Sequence, residues 1–295
     1  MRLWPLLIVF FEFIHCGQGK KLVITAKTYQ FTQPVKVQIN GYKGNAMEPF
    51  LLRDGKTLLF NNLNGSSENT DLHWASKLND STFIYKGKLS GVNINYLEAV
   101  PTVDNEGNLY FVSTRSYNNT LSTLYQGRYI NGTVTNVHLI KGISKFKAGW
   151  VNFDVEVSAD GEYIYFVDAQ LDRSAAPLSA DLVIAKKISG GFVRLPNSGD
   201  LLKNINTGGL EYGACISADQ LTLFFTRVSL PLTKSSHPSI FMAIRTGINN
   251  VFKRPLAIAS ITGFAEAPTI APDQKTIYYH KKENGKFVLY MVKKW

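Results

Sequence analysis

Residues 153–166 read FDVEVSADGEYIYF, and four other stretches of the chain repeat this pattern of a short apolar run, an acidic turn and an apolar-aromatic run. The other copies are EPFLLRDGKTLLF from Glu48, EAVPTVDNEGNLYF from Glu98, EYGACISADQLTLFF from Glu211 and EAPTIAPDQKTIYY from Glu266. Their turn acids are Asp54, Glu106, Asp160, Asp219 and Asp273, separated by 52, 54, 59 and 54 residues by subtraction. Five copies at such regular spacing indicate a repeat architecture.

Each copy predicts a tight hairpin, because Asp-Gly and Asp-Gln between two apolar runs supply the backbone conformation that a two-residue turn requires. Two further strands follow each hairpin. The predicted third strands cover residues 71–76, 122–126, 181–185, 239–244 and 287–292, and the predicted fourth strands cover residues 82–85, 134–140, 192–195 and 251–252. Four short antiparallel strands per repeat are typical of a β-propeller blade.

The repeats predict an all-β fold, a five-bladed β-propeller of four-stranded antiparallel blades that start near residues 46, 97, 152, 210 and 265. The fifth repeat ends after its third strand, at Trp295. Residues 22–40 have strand character, so we expect this N-terminal segment to complete the last blade and close the ring. A β-sandwich needs no such repeat, and the repeat of a β-helix is far shorter.

The N-terminus has the pattern of a signal peptide. Arg2 precedes an apolar run at residues 3–14, and Gly-Gln-Gly at residues 17–19 forms a small-x-small cleavage site. The pattern predicts a signal peptide at residues 1–19, a secreted protein (extracellular or periplasmic) and a single propeller domain at residues 20–295. The alternative for the apolar run is a buried N-terminal strand.

Composition excludes several classes of protein. With 45% hydrophobic and 18% charged residues the chain is globular rather than disordered. No apolar run reaches the 18 residues of a transmembrane segment. The formal net charge of +10 comes from scattered lysines, and the aromatic residues occupy strand positions rather than alternating with them, so nucleic acid is not expected as a partner.

The turns resemble those of the TolB-type, WD-like β-propeller repeat, whose consensus has Ser-Pro-Asp-Gly before an apolar-aromatic pair. The matching segments are SADG at 158–161, SADQ at 217–220 and APDQ at 271–274, whereas the second repeat departs with DNEG at 104–107. The resemblance covers residues 46 to 294 and implies the fold. It implies no single function, because the repeat occurs in binding propellers, sugar-active enzymes and peptidase accessory domains.

Propeller geometry predicts a site at the mouth of the central channel, where the innermost strand of each blade begins and the second strand ends. One carboxylate per blade lies at the start of the innermost strand: Glu48, Glu98, Asp154, Glu211 and Glu266. The candidates just past the second strand are Arg115, Tyr117, Asp168, Arg227 and His280. The loops on this face are long and polar, as binding loops on rigid scaffolds often are.

A ring of carboxylates could bind a divalent cation, or a polar ligand through charge-assisted hydrogen bonds; no other cofactor is predicted. Two or three of the acids could instead act as general acid and base in glycoside cleavage. The structural alternative is that each acid caps backbone amides or pairs with Arg115, Arg227 or Lys281. The five histidines show no metal-ligand spacing, and Cys215 in an innermost strand is expected to be a buried, inert thiol.

These considerations predict a binding module whose loop-rich channel face holds a polar small molecule, a glycan or a partner protein. The alternative is a carbohydrate-active hydrolase or lyase that uses the channel-lining carboxylates. The two differ in what they require of the structure. The enzyme needs two or three acids within about 5–10 Å of one another around an open pocket, with at least one raised carboxyl pKa. The binding module needs all of these carboxylates ion-paired or capped.

Overall fold

The chain is almost entirely β-structure, with 54% of residues in strands and 3% in helices, which confirms the predicted all-β class. The computed structural model describes residues 30–63, 69–173, 176–233 and 236–295. The predicted signal peptide at residues 1–19 lies outside the described residues and stays a prediction.

The first two repeats each fold into one antiparallel meander. The first contains β3 (Met47–Leu51), β4 (Thr57–Asn61), β5 (Leu72–Asn79) and β6 (Thr82–Lys88). The second contains β7 (Glu98–Val103), β8 (Asn108–Ser113), β9 (Leu124–Ile130) and β10 (Thr133–Leu139). The turns predicted from Asp54 and Glu106 join the first two strands of each group.

The remaining repeats follow the same order. The third contains β11 (Trp150–Val157), β12 (Tyr163–Leu171), β13 (Pro177–Ile188) and β14 (Gly191–Arg194). The fourth contains β15 (Leu210–Ile216), β16 (Thr222–Val228), β17 (Ser239–Ile244) and β18 (Leu256–Ala257), and the fifth contains β19 (Ala265–Ile270), β20 (Thr276–Glu283) and β21 (Lys286–Lys293). A single parallel bridge between Ala180 and Leu210 joins the third and fourth groups into one eight-stranded sheet.

The N-terminal segment divides between the last and the first group. Strand β1 (Val35–Lys36) pairs antiparallel with β21, and β2 (Gln38–Asn40) pairs parallel with β6. The side chain between them, Val37, is only 5% exposed and packs in the apolar layer that separates these two groups. The first group therefore has five strands rather than the four that were predicted.

The predicted fourth strand of the fourth group is wrong. Residues 251–252 are not in a strand; the short strand lies at β18 instead. The Phe252 side chain is fully buried beneath the Arg245 guanidinium, and its N–H donates to the carbonyl of Leu201. Phe252 thus contributes to the apolar layer between two groups instead of extending a sheet edge.

Five apolar layers hold the groups together, one between each pair of successive groups and one between the fifth and the first. The second strand of a group contributes to two layers at once. In β12, Ile164 and Phe166 face the second group while Tyr165 and Val167 face the fourth. Both faces of these strands are buried, which is why they read as unbroken apolar-aromatic runs in the sequence.

The described helices are α1 (Tyr117–Thr120) and α2 (Ser198–Leu201), each a single turn. Neither is long and apolar enough to cross a membrane.

Gly142 is predicted to be the least replaceable glycine between groups. Its φ is +83°, and an added Cβ would lie 1.9 Å from the carbonyl oxygen of Phe192. Gly190 has a similar φ of +81° but no heavy atom within 4 Å of its Cβ position. Gly190→Ala would therefore introduce backbone strain without a steric clash. We expect Gly190→Ala to cost about 1–2 kcal/mol of unfolding free energy and Gly142→Ala about 2–5 kcal/mol. Equal losses in urea denaturation would contradict this.

Candidate functional site

Every innermost strand contains a β-bulge at the same position of the repeat, six residues before the turn acid. The bulged residues all have left-handed backbone conformations: Glu48 (φ +47°), Val100 (+55°), Asp154 (+49°), Gly213 (+59°) and Ala267 (+52°). Only one of them is glycine, although the other residue types avoid this conformation. The same strained conformation in all five innermost strands makes these positions candidates for a site.

Three bulge residues donate their N–H groups to polar side chains near the end of the second strand of the preceding group. The N–H of Val100 donates to Asn61 Oδ1 at 3.0 Å, and the N–H of Ala267 donates to Thr226 Oγ1 at 3.0 Å. His280 takes this role between the fifth and first groups, since the N–H of Glu48 donates to its Nδ1 at 3.2 Å. These acceptors lie at one repeat position, near the end of the second strand.

The bulges separate the five predicted carboxylates into three classes, although they were expected to be equivalent. Glu48 and Asp154 occupy the bulge itself, Glu266 lies one residue before it, and Glu98 and Glu211 lie two residues before it. Because each step along the strand changes the direction of the side chain, the five acids do not form a ring.

Glu98 and Glu211 form buried ion pairs away from the channel mouth, as the structural alternative expects. Arg115 Nη2 lies 3.2 Å from Glu98 Oε1, and Arg227 Nε lies 2.7 Å from Glu211 Oε1. Both carboxylates are fully buried. Burial raises the pKa of Glu98 despite the hydrogen bonds that it accepts from Ile94, Ser113 and Arg115.

Asp168 and Tyr117 also lie away from the mouth. Asp168 accepts hydrogen bonds from Arg194 at 2.7 and 2.8 Å and pairs with Lys145 at 3.0 Å. Burial opposes ionisation, but these two cations lower the pKa of Asp168. Tyr117 donates its hydroxyl hydrogen to the carbonyl of Trp150 at 2.8 Å. These contacts fasten loops to neighbouring strands.

Glu48, Asp154, Glu266 and His280 are the predicted site residues that the structure brings together. His280 is fully buried, and its Nε2 lies 2.9 Å from Glu266 Oε2 while its Nδ1 lies 4.0 Å from Glu48 Oε1. Because Nδ1 accepts the N–H of Glu48, the ring hydrogen lies on Nε2 and is donated to Glu266. Burial lowers the pKa of His280, but the hydrogen bond to Glu266 and the charge of Glu48 more than compensate and raise it.

Tyr212 completes this cluster and was missed by the sequence analysis. Its hydroxyl donates a short hydrogen bond to Glu266 Oε1. Burial and the charge of Glu266 raise the pKa of Tyr212 far above that of an exposed tyrosine, so the phenol stays protonated and remains a donor. Glu266 is therefore held by two donors, Tyr212 and His280, one at each oxygen.

Asp154 is the carboxyl group with the most perturbed environment in the cluster. It is 7% exposed, and its Oδ2 accepts the N–H of Gly213 at 2.8 Å. Burial and the negative charge of Glu48 raise its pKa well above the usual value for aspartate, with a further contribution from Glu266. A carboxyl group whose pKa is raised holds its proton to higher pH than an ordinary aspartate, as a general acid must.

The cluster opens into two adjoining cavities. The first, of about 250 Å³, is lined by the three carboxylates Glu48, Asp154 and Glu266, by Phe153 and Tyr212, and by small and aliphatic side chains of the second group. The second, of about 410 Å³, shares Phe153, Tyr212 and Glu266 and is otherwise mainly apolar. A third cavity, of about 30 Å³, lies between the five innermost strands. Glu98, Glu211, Arg115, Arg227, Asp168 and Tyr117 line none of these spaces.

No group of three or more His, Cys, Asp or Glu side chains within the described ranges has the arrangement of a metal site. The divalent cation at the channel mouth stays a prediction. Cys215 is 2% exposed in β15, and burial raises the pKa of its thiol. This burial agrees with the expectation of an inert thiol.

Asp154→Asn is expected to stabilise the protein at neutral pH. A raised folded-state pKa means that the native state holds its proton more tightly than the unfolded chain, so wild-type stability falls as the pH rises from about 3.9 through that pKa. Asparagine carries no such penalty and can still accept the N–H of Gly213. The difference in unfolding free energy between variant and wild type should grow in favour of the variant between about pH 4 and about pH 7. A difference that stays constant in urea titrations at both pH values would contradict the raised pKa.

Comparison with known proteins identifies the fold. No protein-family profile matches the sequence, and no curated protein matches it. Among solved structures the chain is similar to a glycoside hydrolase, with 11% identity, 89% of this chain and 92% of that chain covered, and a TM-score of 0.60. A putative exo-β-1,3-galactanase from Bifidobacterium bifidum has 10% identity, 90% and 92% coverage and a TM-score of 0.57. An α-L-arabinofuranosidase from Podospora anserina in complex with cellotriose has 13% identity, 90% and 96% coverage and a TM-score of 0.54.

These similarities establish a propeller-like fold and correct the prediction of a binding module. Many of the similar structures are glycoside hydrolases, whereas the prediction made hydrolysis only the alternative. At 10–13% identity they show the fold of this chain, and its activity is a proposal. A TolB structure also matches, but its TM-score of 0.45 is too low to show a relationship. The TolB-type relationship therefore rests on the turn motifs alone.

Proposed function

We propose that the chain is a secreted, five-bladed β-propeller that hydrolyses glycosidic bonds at the cluster of Glu48, Asp154 and Glu266. The meeting of Glu48, Asp154 and Glu266 around one open cavity is the observation that carries the proposal. The burial that raises the pKa of Asp154 supports it. Acids around an open cavity, one of them with a raised pKa, are what the enzyme alternative requires. The signal-peptide pattern supports secretion.

A closed ring of five blades is supported by contacts in cyclic order. The innermost strands β3, β7, β11, β15 and β19 each contact the next, and β19 contacts β3. The N-terminal segment pairs with both the last and the first group, and the Glu48 N–H to His280 bond joins the same two groups. Closure matters for function because it brings Glu266 and His280 against Glu48.

Asp154 acts in the proposed mechanism as the general acid. Its retained proton passes to the glycosidic oxygen as the bond from that oxygen to the anomeric carbon breaks. Glu48, which faces the same cavity, accepts a proton from the water whose oxygen bonds to the anomeric carbon. The products are two sugars with the elements of one water molecule added.

Glu266 is proposed to stabilise the positive charge that develops on the sugar ring. Its two hydrogen bonds from Tyr212 and His280 fix its orientation before the reaction, and a preorganised charge needs no reorganisation at the transition state. Tyr212 and His280 are thus positioning residues. Phe153, with Tyr212, offers aromatic surface against which a sugar ring can pack.

The proposal is tested by measuring new reducing ends after incubation with a panel of polysaccharides and aryl glycosides. The matched pair of variants is Glu48→Gln, at the cavity, and Glu162→Gln, an exposed glutamate in the turn between β11 and β12. The wild type and Glu162→Gln should cleave the same substrates, and Glu48→Gln should cleave at least about 100-fold more slowly. A panel left intact by the wild type, or equal rates for the two variants, would contradict the proposal.

A further inference from the structure

A fourth cavity, of about 210 Å³, lies at the other end of the strands, between the third and fourth groups. Its walls include Tyr163 and Tyr165 at the start of β12, and Ile184 and Lys186 near the end of β13, which pair across the sheet. The cavity lies at the opposite end of β12 from Asp168. We call it the Arg245 pocket, after the buried cation in its wall.

Arg245 is 3% exposed, yet no acidic side chain among the described residues pairs with it. Its Nε donates to the carbonyl of Gln220 at 2.8 Å, its Nη1 to the carbonyl of Ile248 at 2.7 Å and its Nη2 to Tyr165 Oη at 2.8 Å. The guanidinium also lies 4.5 Å from the ring centre of Phe252. An arginine has five N–H donors, so one on each terminal nitrogen has no acceptor in the part of the chain that is described.

The rest of the pocket increases its positive character. Lys186, Asn197 and Asn249 are exposed at its rim, and the Lys186 ammonium lies 5.9 Å from the ring centre of Tyr163. None of the residues that line the pocket is acidic. Tyr165 accepts a hydrogen bond from Arg245, so its own hydroxyl hydrogen is available to a ligand.

We propose that the Arg245 pocket binds a small oxyanion: a phosphate, sulfate or carboxylate group. A buried charge without a counterion is costly, and an anion that enters the pocket removes that cost. Guanidinium groups bind carboxylates and phosphates through paired N–H donors, and a nearby ammonium adds a second charge. A purely structural role for Arg245 explains its bonds to two carbonyls, but not the open volume beside it or the second cation at the rim. This site is independent of the proposed hydrolase function.

The proposal is tested by titrating inorganic phosphate, and separately acetate, into the whole protein at ionic strength held constant with sodium chloride. Calorimetry and thermal unfolding report binding. The matched pair is Lys186→Ala, at the rim, and Lys187→Ala, the next residue of β13, which has the same charge but does not line the pocket. We expect saturable binding and a rise in Tm for the wild type and Lys187→Ala, and about tenfold weaker binding for Lys186→Ala.

A second pair avoids replacing Arg245, whose bonds to carbonyls also support the fold. Asn249→Asp places a negative charge at the rim and should abolish oxyanion binding, whereas Asn250→Asp changes the neighbouring exposed residue outside the pocket and should leave it intact. If phosphate binds more tightly, the pocket prefers a tetrahedral oxyanion. If acetate binds more tightly, it prefers a planar carboxylate. The proposal fails if neither oxyanion binds the wild type, or if each pair of variants responds alike.

Discussion

Asp154→Asn is expected to lower kcat for natural glycosides by about 10²–10⁴-fold. The side chain keeps its size and its bond from the Gly213 N–H, but it has no proton to give to the departing sugar oxygen. The alkaline limb of the wild-type pH–rate profile, set by the raised pKa of Asp154, should disappear in the variant. Kinetics on any substrate identified in the panel measure both effects.

The leaving group provides the control for this prediction. In a dinitrophenyl glycoside the leaving group is dinitrophenolate, which departs without being protonated. Asp154→Asn should therefore cleave this substrate at close to the wild-type rate if Asp154 is only the acid. Glu48→Gln should be slow on both kinds of substrate, because water must be activated in each case. Asp154→Asn with wild-type kcat on a natural glycoside would refute the assignment of the general acid.

Arg227→Met is expected to reduce the free energy of unfolding by about 3–5 kcal/mol. The substitution leaves the fully buried carboxylate of Glu211 without its ion pair and also removes the bond from Arg227 Nη2 to the carbonyl of Ile205. The guanidinium also lies 4.8 Å from the ring centre of Phe241, a stacking contact that methionine replaces only in part. Chemical denaturation at neutral pH measures the loss.

Two further variants show whether the loss comes from the unpaired charge. Adding Glu211→Gln to Arg227→Met should recover part of the lost stability, because the amide carries no charge into the interior. Arg254→Met removes an exposed arginine and should change stability by no more than about 0.5 kcal/mol. A double variant no more stable than Arg227→Met alone would mean that lost packing, not the unpaired carboxylate, dominates.

The strands could be predicted because the turns that connect them are encoded locally. Asp160 illustrates this, since its Oδ1 accepts the N–H of Glu162 and a hydrogen bond from Ser158, within one short segment. The positions of the outer strands depend less on the local sequence. The sequence gives β18 no strong pattern, because its position depends on where Phe252 packs between two groups.

The site could be predicted only in part, because a β-bulge changes which side chains face the channel. The type of residue does not mark the bulge, since Glu48, Val100 and Ala267 adopt the same left-handed conformation with unrelated side chains. Counting back from the turn acids would have separated the five carboxylates. It would also have placed Tyr212 and Phe153 at the same repeat position as Glu266.

The Arg245 pocket could not be inferred from the sequence at all. Arg245 and Tyr165 belong to different repeats, 80 residues apart, and meet only when the third and fourth groups pack together. A lone arginine after a strand reads as a surface residue until the packing that buries it is known.

The most direct test of the central claim is a crystal structure of Asp154→Asn with an oligosaccharide that the wild type cleaves. We expect an intact sugar chain in the 250 Å³ cavity, with its glycosidic oxygen within hydrogen-bonding distance of the residue 154 amide and a sugar ring against Tyr212 or Phe153. A sugar bound on the outer rim, with Glu48, Asp154 and Glu266 untouched, would contradict it.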